Sequence, residues 1–339
     1  MNNSKVKPVS NENDQKSGNR PSDNIKSDNI KVVVFAGSHL SITTLNMLLN
    51  QQRLSGVVLS PVASEFNQQL LAWLQQMNIV YIQLTTDPLL ASQAVVTITS
   101  WQAQVAISFD LESSLIDQHA ALFNYGLYHC HCAPYPAYQG PMPLYWQLRD
   151  GQTSTNFTLQ KANAKNNTSS HQIALSHQID IHPLDTYKSL ENKVLTDITP
   201  TINQLLQQLA KQQGNIELTT SVDKSSTMNA LQEQDLKVVW KTMTSQQICD
   251  LARAGNPNFG GCIITLQNTE LNLLQATSVN HATYGVPAGT ICHTGEPEGV
   301  IIATSDGAIR LDIISNADGI FSGLAFCDRF EISAGMAFF

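Results

Sequence analysis

The chain has 339 residues, a formal net charge of −8 and only 19 lysines and arginines, while 42% of its residues are hydrophobic and 14% are charged. This length allows two domains and a sizeable core. A surface for nucleic acid or for anionic membranes needs clustered basic side chains, so the charge balance argues against both kinds of partner.

Residues 1–30 form a polar stretch that is rich in Asn, Ser, Asp and Lys. Such a stretch buries too little apolar surface to offset its ordering entropy, so we expect a disordered tail. It has no apolar segment typical of a signal peptide, and no apolar run in the chain reaches the ~18 residues of a membrane span. The six cysteines lack paired spacing, so we expect reduced thiols and a cytoplasmic protein.

Residues 31–214 alternate short apolar runs with helical patterns, and we interpret them as one domain. Continuous apolar runs are typical of buried parallel strands, and the intervening helices cover both faces of such a sheet. The pattern therefore predicts an α/β fold with a doubly wound, mostly parallel sheet. The predicted strands span residues 31–36, 57–59, 79–82, 103–109 and 127–132, and the predicted helices span residues 42–49, 66–77 and 111–119.

A turn of Gly37, Ser38 and His39 follows the first predicted strand. Doubly wound folds bind their ligands at such strand ends. The turn lacks the Gly-x-Gly-x-x-Gly pattern, so a dinucleotide site is not indicated. His39 fits a surface turn residue and a ligand contact equally well.

The fifth predicted strand, residues 127–132, alternates two histidines with two cysteines. Because successive side chains of a strand point to opposite faces, His129 and His131 share one face, and Cys130 and Cys132 share the other. One metal ion cannot use both faces of a strand. We therefore expect no metal site and interpret the two cysteines as core residues.

Four prolines and a glycine follow this strand between residues 134 and 143. Their fixed or freed backbone angles exclude a helix and predict a rigid loop. Two imidazoles at a strand end, beside a rigid loop, indicate a place for chemistry in an α/β fold.

The predicted elements change in character beyond this loop. The alternating segments of residues 155–160 and 172–181 predict strands, and the amphipathic segment of residues 186–213 predicts a helix. Residues 215–237 are polar, and we interpret them as a linker. Residues 238–339 contain a short helical segment and then short strands with closely spaced turn signals, which predicts a small OB-like β-barrel domain.

The segment from Gly126 to Gly140 resembles the signature of the folate-dependent formyltransferases, a family that includes the methionyl-tRNA formyltransferases. A second stretch, residues 253–257, is similar to the family's C-terminal domain. The resemblance extends from about residue 31 to the C-terminus and implies the same two-domain fold. The signature positions that this chain keeps are Gly126, Leu127, His131, Pro136, Tyr138 and Gly140.

The family uses an asparagine, a histidine and an aspartate for catalysis, and the resemblance assigns these positions to His129, His131 and Asn167. The histidine is kept, whereas an imidazole replaces the amide donor and an amide replaces the carboxylate. Asp180 or Asp185 is an alternative source of the missing carboxylate.

The resemblance also implies 10-formyltetrahydrofolate as co-substrate, with contacts at Gly37, Ser38, Phe109, Asp110 and Pro136. Relatives that act on tRNA carry a basic loop after the second strand and arginines in the signature, whereas this chain has no Lys or Arg at either place. We therefore expect a formyltransferase that acts on the amine of a small molecule, or on a carrier-bound amino acid or amino sugar. The alternative is a non-catalytic relative that binds folate or a partner protein.

Overall fold

A computed structural model describes residues 30–85, 87–163, 172–221 and 225–339 of the chain. Its N-terminal part is built on one eight-stranded sheet. The strands are β1 (Val32–Ala36), β2 (Leu54–Leu59), β3 (Tyr81–Gln83), β4 (Val105–Phe109), β5 (Gly126–His131), β6 (Ser154–Lys161), β7 (Gln172–Asp180) and β8 (Thr219–Thr220).

The order of these strands across the sheet is β3-β2-β1-β4-β5-β6-β7-β8. The first five strands run parallel, and β6, β7 and β8 are added antiparallel. The prediction of an α/β fold with a mostly parallel sheet is therefore confirmed. Parallel strands place their carboxyl ends at one edge of the sheet, and ligands bind there in such folds.

Helices cover both faces of the parallel strands, so β1 is buried along its whole length. Side chains of β1 alternate between two cores: Val32 and Val34 pack on one face, while Val33 and Phe35 pack on the other. The helices of this part are α1 (Ser41–Asn50), α2 (Glu65–Gln76), α3 (Pro88–Ser100), α4 (Ser113–Ala120), α5 (Pro143–Arg149) and α6 (Tyr187–Lys211).

The C-terminal part begins with α7 (Ser245–Gly255), which packs against α5. An antiparallel sheet follows in the order β11-β12-β13-β10-β9, with a sixth strand, β14, paired to β13. This agrees with the predicted series of short strands. The elements are β9 (Cys262–Leu266), β10 (Thr269–Val279), β11 (Ile291–Gly295), β12 (Gly299–Ala303), β13 (Ala308–Asn316), β14 (Gly319–Ser322) and α8 (Gly323–Phe330).

Helix α5 corrects one prediction made from the sequence. The loop rich in proline and glycine ends one residue earlier than predicted, because the helix begins at Pro143 itself. Proline is favoured at the first position of a helix, where its missing N–H would have no partner in any case. Proline, which is unfavourable inside a helix, therefore starts a helix here.

Two further helices, α3 and α8, were absent from the predicted elements. The run of residues 94–99 in α3 contains five β-branched side chains, and such residues favour strands on propensity alone. The predicted linker, residues 215–237, also contains regular structure: the short strand β8 and a 3-10 turn at Glu233–Leu236. None of the described helices has the length and apolar composition that a bilayer span requires.

Candidate active site

The carboxyl ends of β1, β4 and β5 meet at one edge of the sheet and open into a cleft of ≈ 660 Å³. The strand register explains this, because Ala36 pairs with Phe109 and Phe109 pairs with Cys130. The residues that follow these three strands therefore lie side by side. Helix α6 and the loop before α5 form the remaining walls of the cleft.

The first wall is the turn after β1, which requires glycine at position 37. The Gly37 N–H donates to the Phe109 carbonyl at 2.9 Å. A Cβ atom at Gly37 would lie 2.3 Å from the Asp110 carbonyl oxygen and 2.5 Å from that of Phe109. The missing side chain thus allows the turn after β1 to touch the end of β4, which brings Ser38 within hydrogen-bonding distance of the Asp110 carboxylate.

The second wall contains both histidines of β5. His129 Nδ1 lies 3.0 Å from the Ser108 hydroxyl oxygen, and His131 Nε2 donates to the Ala137 carbonyl at 2.8 Å. The two rings follow the alternation that the sequence predicted, because Cys130 and Cys132 pack in the core on the other side of the sheet. Both histidines line the cleft.

Both β5 histidines are neutral at physiological pH. Burial, with a smaller contribution from His131, lowers the pKa of His129 to about 3. Burial also lowers the pKa of His131, although its hydrogen bond to Ala137 opposes this. Since Nε2 of His131 donates its proton to the Ala137 carbonyl, Nδ1 carries the free lone pair. If the Ser108 hydroxyl donates to Nδ1 of His129, the proton of that ring is on Nε2.

The loop between β5 and α5 is held by residues 225–228, which belong to the predicted linker. Gln139 N–H donates to the Ser226 carbonyl at 2.8 Å, and Met228 N–H donates to the Gln139 carbonyl at 2.6 Å. Gly140 has φ +108°, and a Cβ atom there would lie 2.4 Å from the Met228 carbonyl oxygen. The signature glycine is therefore needed for both its backbone angle and this close approach.

A carboxylate that the sequence reasoning missed forms the far wall of the cleft. Glu191 of α6 is only 2% exposed, and its Oε1 atom lies 2.9 Å from His39 Nε2. Lys188, one turn earlier, contacts the other oxygen of this carboxylate. The sequence did hold a signal, because Glu191 lies four residues after Tyr187 and three before Val194, both on the buried face of α6.

The predicted site residues are partly brought together. Ser38, Asp110, His129 and His131 line the cleft, and His39 lines it with them. The predicted folate contacts Gly37 and Phe109 form the backbone junction beneath it, and the Pro136 carbonyl accepts a hydrogen bond from the Gln139 side chain within the loop.

Asn167, the predicted third catalytic residue, lies outside the described residues. Of the two alternative carboxylates, Asp185 is engaged with Lys193 and Ser189, and neither it nor Asp180 lines the described part of the cleft. Within residues 30–85, 87–163, 172–221 and 225–339, no group of three or more His, Cys, Asp and Glu side chains has metal-site geometry.

Known proteins share both the sequence of the C-terminal part and the fold of the whole. The family described as "Formyl transferase, C-terminal domain" matches residues 230–326. The methionyl-tRNA formyltransferase of Thermotoga maritima is 24% identical over 61% of this chain and 67% of its own length. That of Geobacter metallireducens is 28% identical over 56% of this chain and 58% of its own length. The chain is similar to the formyltransferases.

Solved structures share the fold of this chain. WlaRD, a sugar 3N-formyl transferase whose structure was determined with dTDP and 5-N-formyl-THF, superimposes with a TM-score of 0.59 at 16% identity. The superposition covers 83% of this chain and 96% of WlaRD. HypX from Aquifex aeolicus in complex with tetrahydrofolic acid has a TM-score of 0.52 at 13% identity, over 89% of this chain and 47% of HypX.

The match to curated relatives is partial in length. The chain spans less than two thirds of the Geobacter metallireducens relative that it matches, and 67% of the Thermotoga maritima relative. The solved structures show the fold, whereas the reaction and its substrates are proposals.

Proposed function

We propose that this protein transfers a formyl group from 10-formyltetrahydrofolate to the amine of a small molecule. The observation that carries the proposal is the pair of neutral histidines, His129 and His131, on one wall of an open cleft in a formyltransferase fold.

The cleft suits a folate in size and lining. Its volume of ≈ 660 Å³ is in the range of sites that enclose drug-sized ligands. Leu111, Met142 and Leu144 supply apolar walls for a flat ring system, while the Asp110 carboxylate can accept N–H donors from a heterocycle. The folates in the WlaRD and HypX structures support the same donor. Folate contacts at Gly37, Ser38, Phe109, Asp110 and Pro136 are part of this proposal.

The histidines offer complementary groups for formyl transfer. An N–H of His129 can donate to the formyl oxygen as negative charge develops there, which is the role of an oxyanion donor. The free Nδ1 of His131 can accept a hydrogen bond from the attacking amine and orient its lone pair toward the formyl carbon. The amine nitrogen then bonds to the formyl carbon, and the bond between that carbon and N10 of the folate breaks.

The charges of the cleft limit the class of acceptor. Its described lining includes Asp110, Glu112 and Glu191, and no lysine or arginine. Phosphate groups are normally bound by basic side chains or by helix N-termini. Recognition of tRNA needs clustered basic side chains, so the lining favours a small amine over tRNA. The sugar N-formyltransferases among the structural neighbours support a small-molecule acceptor in general.

Two measurements test this proposal. Titration calorimetry with 5-formyltetrahydrofolate, a stable analogue, should give saturable binding to the native chain. Incubation with 10-formyltetrahydrofolate and a panel of primary amines should yield an N-formyl product by mass spectrometry. His131→Ala should lower the rate about 100-fold or more, and His281→Ala, at a half-buried residue of the C-terminal part that does not line the cleft, is the matched control.

Each outcome of these measurements separates the alternatives. Absence of analogue binding would overturn the folate donor. Binding without transfer to any amine would favour the non-catalytic relative. A rate of transfer that is unchanged in His131→Ala would show that His131 takes no part in catalysis.

A further inference from the structure

The wall opposite β5 holds a second histidine, which is paired with a buried carboxylate. His39 Nε2 and Glu191 Oε1 are 2.9 Å apart, although the two residues are separated by 152 positions in the chain. The His39 side chain is 55% exposed, whereas that of Glu191 is 2% exposed. One end of the pair is thus fixed in the protein, and the other faces the cleft.

The hydrogen bond determines which nitrogen of His39 is available. Glu191 is a carboxylate acceptor, so the Nε2 atom of His39 carries the proton that it donates. In the neutral ring, Nδ1 then holds the free lone pair. A carboxylate behind an imidazole also stabilises the imidazolium that forms when Nδ1 takes up a proton.

The two kinds of histidine in the cleft differ in their capacity to hold a proton. Burial lowers the pKa of both His129 and His131, which makes them weak bases near neutral pH. The hydrogen bond that His39 donates to Glu191 raises the pKa of His39 above its ordinary value, against an opposing effect of burial. A general base is most effective when its pKa lies near the working pH. Of these three histidines, His39 is the one whose pKa is raised rather than lowered.

The charged groups around His39 act on it from two elements. On α6, Glu191 raises the pKa of His39, and Lys188 lowers it by a smaller amount. After β4, Asp110 raises it slightly while accepting a hydrogen bond from Ser38. Glu191 itself stays ionised, because its hydrogen bonds from His39 and Lys188 keep its pKa below the ordinary value.

The position of His39 suits a base that acts across the substrate from the β5 histidines. Strand β4 lies between β1 and β5, so the ends of β1 and β5 are about 10 Å apart. A reacting formyl group and amine fit within that span. The geometry points to His39 as the general base that removes the proton from the attacking amine, with Glu191 as its positioning residue, if the chain has the function proposed above.

The proton transfers balance in this scheme. The amine nitrogen bonds to the formyl carbon, and its proton moves to Nδ1 of His39. When the bond from the formyl carbon to N10 breaks, the imidazolium returns a proton to N10. The products are the N-formyl compound and tetrahydrofolate, and His39 is neutral again.

Kinetic measurements on two variants test the assignment. His39→Ala should lower kcat about 100-fold while the affinity for 5-formyltetrahydrofolate stays within twofold, and added imidazole should restore part of the rate. Glu191→Gln keeps the shape of the side chain and removes its charge, so the acidic limb of the kcat/KM profile should move to lower pH. His281→Ala should change none of these quantities.

NMR titration of the histidine rings tests the pairing of His39 with Glu191 without requiring catalytic turnover. Proton–carbon NMR of the histidine rings should give His39 a titration midpoint above 6.5, the ordinary value, in the native chain. The midpoint should fall in Glu191→Gln. The same spectra report whether this variant keeps its fold, since the other histidine resonances should not move.

Three results would overturn the assignment. The first is a kcat in His39→Ala equal to that of the native chain. The second is an acidic limb that shifts with Asp110→Asn and not with Glu191→Gln, because the base would then be Asp110. The third is loss of analogue binding together with activity in His39→Ala, which would make His39 a binding residue. Absence of any formyl transfer by the native chain would instead overturn the proposed function, and this assignment with it.

Discussion

Replacing Gly37 with alanine should disturb both the stability of the sheet and the cleft. The added Cβ atom would lie 2.3 Å from the Asp110 carbonyl oxygen, which is 0.7 Å closer than the 3.0 Å limit that Cβ atoms keep. The obstacle is backbone at the end of a central strand, so it cannot rotate away as a side chain could. Overpacking of this kind costs about 1–3 kcal/mol, and loss of the hydrogen bond from Gly37 to Phe109 adds about 1 kcal/mol.

The expected loss of about 2–4 kcal/mol should appear as a fall of roughly 3–6 °C in the thermal unfolding midpoint of a chain of this length. Gly307→Ala is the control, because a Cβ atom there meets no heavy atom within 4 Å. Its midpoint should be unchanged or slightly raised. Equal midpoints for Gly37→Ala and Gly307→Ala would refute the argument from close approach.

The cleft provides a second measurement on the same variant. Separation of the β1 turn from Asp110 should weaken binding of 5-formyltetrahydrofolate. Gly56→Ala separates this local effect from general instability, since its Cβ atom would meet the Trp101 ring at 2.5 Å, away from the cleft. We expect Gly56→Ala to lose stability and keep its affinity for the analogue.

Four further predictions follow from the sequence and the structure. A gel shift at physiological salt should show no micromolar retention of tRNA, because the chain has only 19 lysines and arginines. The predicted tail ends one residue too late, because Ile30 is buried in the core. A chain that begins at residue 30 should therefore keep the native unfolding midpoint, because the polar residues 1–29 offer no apolar face. Thr186→Ala should cost about 1 kcal/mol in urea unfolding, because the Thr186 side chain caps α6. Because the pKa of His129 is about 3 in the fold and 6.5 ordinarily, the unfolded chain binds the proton first as pH falls. His129→Asn should therefore lose about 2 kcal/mol less stability than the native chain between pH 7 and pH 5; equal losses would contradict the lowered pKa.

The sequence alone determined that parallel strands alternate with helices along the chain, and on which face each β5 side chain lies. Continuous apolar runs specify buried strands because every position on both faces must be apolar, as in Val32–Ala36. Strict alternation placed His129 and His131 together, since the side-chain period of a strand is two. The sequence also predicted that the Gly37 turn lies at the strand ends where doubly wound folds bind ligands.

Local signals misled where a residue type has two roles. Pro143 reads as a helix breaker, but it starts α5, because proline is unfavourable inside a helix and favourable at its first turn. Helix α3 was missed because its β-branched run has the propensity of a strand, whereas packing against the sheet makes it helical.

Only the tertiary structure decided which distant groups meet at the cleft. Glu191 is joined to His39 across 152 positions, and Ser226 holds the loop at Tyr138 across 88 positions. No periodic pattern in the sequence predicts either contact, because each depends on how α6 and residues 225–228 pack back onto the ends of the strands. Burial and partners, which set the pKa values of His39, His129 and His131 in opposite directions, exist only after that packing has occurred.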